Sequence, residues 1–189
     1  MSSRDLLEFP DAAQWESWLA AQHETRTEVW LRIAKRHSGI GSVTSAEALD
    51  VALCFGWIDG QRKSYDEGSF LQRYSPRRSG SPWSKINVAK AEELIAAERM
   101  QPAGLAEVAA AKVDGRWDMA YESQRTATIP PDLVAALATN AQANAGFERL
   151  GKSEQYAVIL PLLKARTPQA RTKLLARALA RLDGSGQSR

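Results

Sequence analysis

The side chains best equipped for chemistry lie between Phe55 and Lys90. One stretch reads Phe-Gly-Trp-Ile-Asp-Gly-Gln-Arg-Lys at 55–63, a second Gln-Arg-Tyr-Ser-Pro-Arg-Arg-Ser-Gly-Ser-Pro-Trp-Ser-Lys-Ile-Asn at 72–87. In a regular strand alternate residues share a face, so Trp57, Asp59, Gln61 and Lys63 would point the same way. That sets an acid and a base beside a large aromatic ring. Arg73, on the facing strand, comes within reach of Asp59. An Asp–Arg pair beside an indole has two readings, a structural ion pair or the polar wall of a ligand site.

The segment Pro76-Arg77-Arg78-Ser79-Gly80-Ser81 carries two guanidiniums to the start of a helix. Free backbone N–H groups, the positive end of a helix dipole and two Arg forks are what an anion site needs. A phosphate or carboxylate gripped by Arg77, Arg78 and the helix start at Ser81–Ser84 is one reading. Solvated loop cations are the other. The Gly-x-x-x-x-Gly-Lys spacing is missing, which excludes a P-loop. In the helix that follows, Trp83, Ile86, Leu94 and Ala97 form an apolar stripe, with Asn87 and Lys90 inside it. Polar groups on a core-facing stripe need partners. Asn87 either bonds a strand edge or lines a pocket with Trp57 and Arg77, and Lys90 either snorkels or reaches back to the same space. The candidate ligand-binding set is therefore Trp57, Asp59, Arg73, Arg77, Arg78, Trp83, Ser84, Asn87 and Lys90.

Catalytic signatures are sparse. Cys54 is the only cysteine and sits in the apolar run Val51–Phe55, which predicts a buried, inert thiol. His23 and His37 are the only histidines, and neither has a neighbouring motif. No Ser/His/Asp set, metal-ligand spacing or Gly-rich dinucleotide fingerprint occurs, so neither metal nor cofactor is expected. An enzyme using Asp59 with Lys63 or Arg73 stays an alternative without a specified reaction.

The elements that must position these residues are well punctuated. Asp11 with Gln14 and Thr44 with Glu47 fit capping boxes, the second opening the apolar helix Ala46–Phe55. Ser81-Pro82 reads as N-cap and first helical residue of a helix to about Arg99. Pro102 starts another, closed at Asp114-Gly115 with Gly115 left-handed. Pro130-Pro131, Ser153 and Thr167-Pro168 start three more. Glu28–Lys35 alternates as a strand, and Gly56–Ser64 and Ser69–Ser75 read as two strands joined by Tyr65-Asp66-Glu67-Gly68. Trp15, Trp18 and Trp30 read as core packing. Strands in the first half only, then helices, predict an α+β fold: a small antiparallel sheet covered by helices, with an all-helical C-terminal half. The shift to Ala-rich sequence near Gln101 suggests an α+β domain over 1–101 and a helical region over 102–189 packed on it.

A 44% hydrophobic and 25% charged composition is that of a folded protein with a real core, with disorder expected only at Met1–Arg4 and Gly184–Arg189. The N-terminus has no apolar segment long enough for a signal peptide, and the longest apolar run, Tyr156–Leu163, is far short of a membrane span. A cytoplasmic location is the expectation. The net charge of +3 is unevenly spread: from Lys164 onward seven basic residues (Lys164, Arg166, Arg171, Lys173, Arg177, Arg181 and Arg189) face one acid, Asp183, leaving −3 on residues 1–163. A basic tail on a mildly acidic body suggests an anionic partner, or a helix face whose cations favour its C-terminus.

Ala-Leu-Cys-Phe-Gly-Trp-Ile-Asp-Gly (52–60), Tyr-Ser-Pro-Arg-Arg (74–78), Trp-Ser-Lys-Ile-Asn (83–87), Met-Gln-Pro-Ala-Gly (100–104) and Asp-Gly-Arg-Trp with Ala-Tyr (114–121) resemble the YdeI/OmpD-associated, or bacteriocin-protection, proteins. The resemblance runs from about Phe9 to Leu182. It implies a YjbR/CyaY-like α+β fold and a stress or antimicrobial-peptide-protection role, and transfers no catalytic residue. The expected function is a cytoplasmic protein, more a binder than an enzyme, for a small anionic ligand. The alternative is nucleic-acid binding through the basic helix Pro168–Leu182, against which stands the lack of interleaved aromatics.

Overall fold

The computed structural model describes residues 6–184. Met1–Arg4, the residues after Gly184 and the basic Arg189 lie outside that range. The elements are β1 (Leu6–Leu7), α1 (Ala12–Gln22), β2 (Val29–Ala34), α2 (Ser45–Cys54), β3 (Trp57–Ser64), β4 (Ser69–Pro76), α3 (Lys85–Ala96), α4 (Pro102–Val113), α5 (Pro131–Ala138), α6 (Ala141–Glu148), α7 (Lys152–Leu163) and α8 (Pro168–Gly184). This is the α+β architecture expected, with strands confined to the first half. The described residues divide into two units. The first runs to Trp83 and resumes over Asn87–Met119; the second holds Ser84–Ile86 and everything from Ala120 on. The division falls after α4 rather than at Gln101.

In the first unit the sheet order is β1-β2-β4-β3. β2, β4 and β3 are antiparallel, and the two-residue β1, absent from the sequence reading, adds a parallel edge. Register puts Val29 opposite Tyr74, Leu31 opposite Gln72 and Ile33 opposite Phe70, so these residues share one face. That face is the core. Trp15 and Leu19 of α1 and Val51, Leu53 and Cys54 of α2 are buried with Val29, Leu31, Ile33 and Tyr74. Trp15 fixes the arrangement twice over: its ring lies 5.6 Å from Tyr74, and its indole N–H donates to the Ala48 carbonyl at 3.1 Å. A buried indole that meets its one hydrogen-bonding need stabilises the core without a desolvation cost. Trp18, half-buried, stacks on Trp15 at 5.3 Å and meets Trp57 edge-on at 6.3 Å. All six tryptophans, Trp15, Trp18, Trp30, Trp57, Trp83 and Trp117, belong to this unit.

Local punctuation set most helix starts. The Thr44 hydroxyl accepts from Glu47 N–H, and the Glu47 carboxylate accepts from Thr44 N–H at 2.9 Å, the reciprocal box read from sequence. α4 begins at Pro102 and stops at Asp114, with Gly115 at φ +76°. Its Gly104 sits directly against the α2 backbone: a Cβ there would stand 2.3 Å from the Cys54 carbonyl oxygen.

The second unit is helical. Leu133, Leu137, Ala143, Phe147, Val158, Ile159, Leu162 and Leu182 form its core, with Leu175 and Leu179 of α8 packed on it. α6, which the sequence reading did not separate, is capped by Asn140, whose carbonyl oxygen accepts from Ala143 N–H at 3.1 Å.

Candidate functional site

The residues expected to form an anion site are divided by the fold. Trp57 is 1% exposed and donates its indole N–H to the His23 carbonyl at 3.3 Å, so it is a core residue rather than a pocket wall. Trp83 is 2% exposed and packs 4.9 Å from Trp117. Arg77 is 7% exposed. Its guanidinium lies 3.9 Å from the Trp83 ring centre and donates to the Pro82 carbonyl at 3.0 Å. Arg116, also buried, donates to the Ser81 carbonyl at 2.9 Å while its Nε contacts the Asp114 carboxylate at 2.6 Å. Two buried arginines therefore clasp the Pro76–Trp83 loop through its own carbonyls. Arg78, the neighbour of Arg77, is exposed.

The helix start was misplaced. α3 begins at Lys85, so Ser81–Ser84 are not its first turn. Burial of Trp83 outweighed the Ser-Pro signal, and Ser84, in the second unit, bridges to Tyr121 in parallel fashion. The stripe shortens accordingly: Ala91 and Leu94 are buried, whereas Ile86 is half exposed. Asn87 is half-buried. Lys90 pairs with Asp50 of α2 at 2.5 Å, which explains a cation on an inward face.

Asp59 and Arg73 do not meet. They occupy opposite faces of the sheet, since Asp59 lies opposite Tyr74 on β4 and Arg73 is the next residue back. Arg73 instead grips Glu28 through Nε at 2.8 Å and NH2 at 2.7 Å. Asp59 is exposed by area, yet protein atoms crowd its carboxyl enough to raise its pKa by desolvation, against the opposing pull of its own backbone, Arg62 and Arg77. The Tyr74 hydroxyl beneath it is fully buried with no hydrogen-bond partner among the described residues. Burial, then the Asp59 carboxylate, push its pKa well up.

Cations do converge elsewhere in the first unit, at the end of the sheet where β2 leaves it. A recess of about 550 Å³ lies between β2, the loop after it and the start of α2. Its charged lining residues are Lys35, Arg36 and Arg62, with Ser42, Thr44 and Ser45 supplying hydroxyls. Arg62 is held there by a β-bulge. β3 pairs Asp59 with Tyr74 but Arg62 with Gln72, so Gly60 and Gln61 together oppose Arg73. The extra residue brings Arg62, in place of Gln61, onto the face of Asp59, and sends Lys63 to the other face, over the Trp30 ring at 4.8 Å.

Gln72 stabilises that bulge and aims the arginine. It is 2% exposed. Its amide nitrogen donates to the Gly60 carbonyl at 3.0 Å and lies 3.3 Å from that of Gln61. Its amide oxygen accepts from Arg62 Nε at 2.9 Å. Arg62 NH2 reaches the Ser45 hydroxyl at 3.3 Å, and its guanidinium lies 4.3 Å over the Phe70 ring. A guanidinium has five N–H donors in a planar fork, so two bonds leave most of that capacity for a ligand. Lys35 donates to the Asp66 carbonyl at 2.9 Å, and Arg36 is exposed. The nearest helix start adds little, because its capping box is closed and the Glu47 carboxylate, held below the usual range by Thr44, stays ionised there. Side chains, not a helix dipole, make this recess positive.

Among the described residues no group of three or more His, Cys, Asp or Glu is placed to hold a metal, and no helix is long and apolar enough to cross a membrane.

Residues 7–107, just over half of the chain, match the family described as a domain of unknown function (DUF8412). The chain belongs to that family. The DUF8412 match covers the sheet, the recess and α1 to α3. Residues 126–184 match a second family, described as Bacteriocin-protection, YdeI or OmpD-Associated, and lie wholly in the helical unit. Of the resemblance expected over almost the whole chain, this match bears out the part over α5–α8. The motifs quoted for it, at 52–121, lie N-terminal to that match. No comparison supports a YjbR/CyaY-like assignment. No curated protein and no solved structure matches the chain.

Proposed function

We propose that this DUF8412 protein binds a small anionic ligand, a phosphate ester or a carboxylate, in the recess lined by Lys35, Arg36 and Arg62. One observation carries the reading: every charged residue lining that recess is cationic, and the central one, Arg62, is oriented by a buried glutamine. The volume, about 550 Å³, suits a metabolite-sized ligand. Arg77, Trp57 and Trp83 have structural duties in this reading, and Asp59 has none in binding. The match of residues 126–184 supports setting this binding within a bacteriocin-protection role, and a cytoplasmic location is part of the proposal.

Inorganic pyrophosphate serves as the probe. At low ionic strength and about ten times its Kd, it raises stability by about 1.4 kcal/mol, or roughly 3–6 °C in Tm for a unit of this size. Arg36→Ala combined with Arg62→Ala abolishes that shift, and Arg78→Ala retains it. Arg36→Glu alone, on an exposed side chain, covers the case in which the Arg62 variant folds poorly. A shift that persists in Arg36→Glu, or one lost in Arg78→Ala, overturns the assignment.

A further inference from the structure

The recess that holds the anion in this reading is only partly a charged surface. Ile33, Ala34, Ile40, Ala46 and Phe70 also line it. Ile33 is 1% exposed and belongs to the core, so it adds depth and little contact. Phe70 is half-buried and serves Arg62, whose guanidinium lies over its ring. Ile40 is different. It is 54% exposed and lines the recess from the loop after β2. Nothing lies within 4 Å of a Cβ built on either of its neighbours, Gly39 and Gly41, so the loop around it is uncrowded. Ala46, in the first turn of α2, is exposed as well. Cations and accessible apolar surface therefore border one space.

The hydroxyls of the recess are largely committed to the protein. Ser42 accepts from Ala34 N–H at 2.9 Å and donates to the Val43 carbonyl at 3.1 Å. Thr44 accepts from Glu47 N–H at 3.3 Å and donates to the Glu47 carboxylate at 2.8 Å. Ser45 accepts from Arg62 at 3.3 Å. Among the described residues no carboxylate or amide side chain lines the recess. The O–H groups of a sugar would lose water there and find few acceptors, at a cost for each group left unpaired. A bare anion would use the cations and leave Ile40 and Ala46 wet.

We infer that the recess selects an anion with a compact apolar body, an aryl or branched-alkyl phosphate monoester or carboxylate, with the anionic group on Arg36 and Arg62 and the apolar group against Ile40 and Ala46. The inference rests on the anion-binding reading and adds the class of ligand. Discrimination comes from both sides. Apolar contact favours such a ligand, and unmet hydroxyls disfavour a sugar phosphate of the same charge. Moving about 55 Å² of apolar surface out of water is worth about tenfold in affinity.

The test uses the full chain and three phosphate monoesters that share a head group: methyl phosphate, phenyl phosphate and ribose phosphate. Acetate and benzoate form a matching carboxylate pair. Each is titrated calorimetrically at low ionic strength. The aryl member of at least one pair binds about tenfold more tightly than its small counterpart, while ribose phosphate gains no more than about twofold over methyl phosphate. The tighter pair identifies the head group. Ile40→Ser, on an exposed side chain, weakens the aryl member about threefold more than the small one. Equal binding of aryl and small members in both pairs, ribose phosphate as tight as phenyl phosphate, or an aryl advantage untouched by Ile40→Ser overturns the inference. Where methyl phosphate or acetate still binds and Arg36→Glu weakens it, the anion reading survives that failure. Where no anion binds in an Arg36-dependent way, both fall.

Discussion

Gly104→Ala tests the packing on which the first unit rests. A methyl group at this position would lie 2.3 Å from the Cys54 carbonyl oxygen, 2.7 Å from that of Leu53 and 2.8 Å from the Cys54 carbonyl carbon. All three are backbone atoms, so no side chain can rotate away. Reaching even 3.0 Å requires α4 to retreat by about 0.7 Å, a lower bound for a carbon–oxygen contact. That retreat strains the bond from Gln101 N–H to the Cys54 carbonyl, 3.0 Å long, and loosens the buried Val108 and Ala111. Overpacking of this kind costs about 1–3 kcal/mol. The weakened bond adds up to about 1 kcal/mol, and the better helix propensity of Ala returns about 1 kcal/mol. The net expectation is a loss of about 2 kcal/mol, read as a fall in Tm of several degrees by circular dichroism. Gly41→Ala is the control: nothing lies within 4 Å of its added carbon, and stability should hold within about 0.5 kcal/mol. A Gly104→Ala protein as stable as the parent would mean that α4 does not approach α2 this closely.

Adjacent arginines should behave oppositely: Arg77→Ala, removing a buried guanidinium stacked on Trp83, lowers stability by about 2–3 kcal/mol in urea unfolding, while Arg78→Ala changes it by less than about 0.5 kcal/mol. Cys54 is fully buried, and desolvation pushes its thiol up to about 11, so at pH 8 about a thousandth is thiolate and a disulfide-exchange reagent labels the native protein slowly. Fast stoichiometric labelling would contradict its placement. In the second unit the Arg171 hydrogen bonds hold Asp132 below the usual carboxylate range. Its stabilisation is present in full above the unfolded-state pKa and is lost as pH falls through the lower folded value. Asp132→Asn should cost about 0.5–1 kcal/mol near neutrality and nothing in strong acid, and an equal cost at both pH values would refute the pairing.

Local chemistry in the sequence was legible and non-local chemistry was not. The Thr44–Glu47 box needs only three residues of separation, and the left-handed Gly115 needs only its own φ, so both could be read directly. Ser81-Pro82 carries an equally good helix-start signal, but Trp83 gains more by burial against Trp117, thirty-odd residues away. The same limit hid the recess. Lys35 and Arg36 end a strand, Arg62 sits mid-strand, and only the fold gathers them. One signal was present: Gly60 interrupts β3, and an isolated glycine in a strand often marks a bulge. A bulge there puts Arg62, not Gln61 or Lys63, on the face of Asp59. Arg77 and Arg78 show the converse, two identical side chains in one motif whose roles differ because one meets an indole and the other meets water.

The placement of the tryptophans makes the two units optically distinguishable. Every indole belongs to the sheet-bearing unit, whereas α5–α8 and the residues joined to them hold Tyr121, Tyr156 and Phe147. Emission excited at the red edge, where tyrosine does not absorb, therefore reports on the first unit alone, with the buried Trp15, Trp57 and Trp83 giving a blue-shifted band. Helical ellipticity reports on both. Denaturation followed by both signals resolves whether the units melt together, with no label or inserted probe. A quench or shift on adding an anion is assigned to the first unit from the start, while a ligand bound among α5–α8 meets no indole in its own unit.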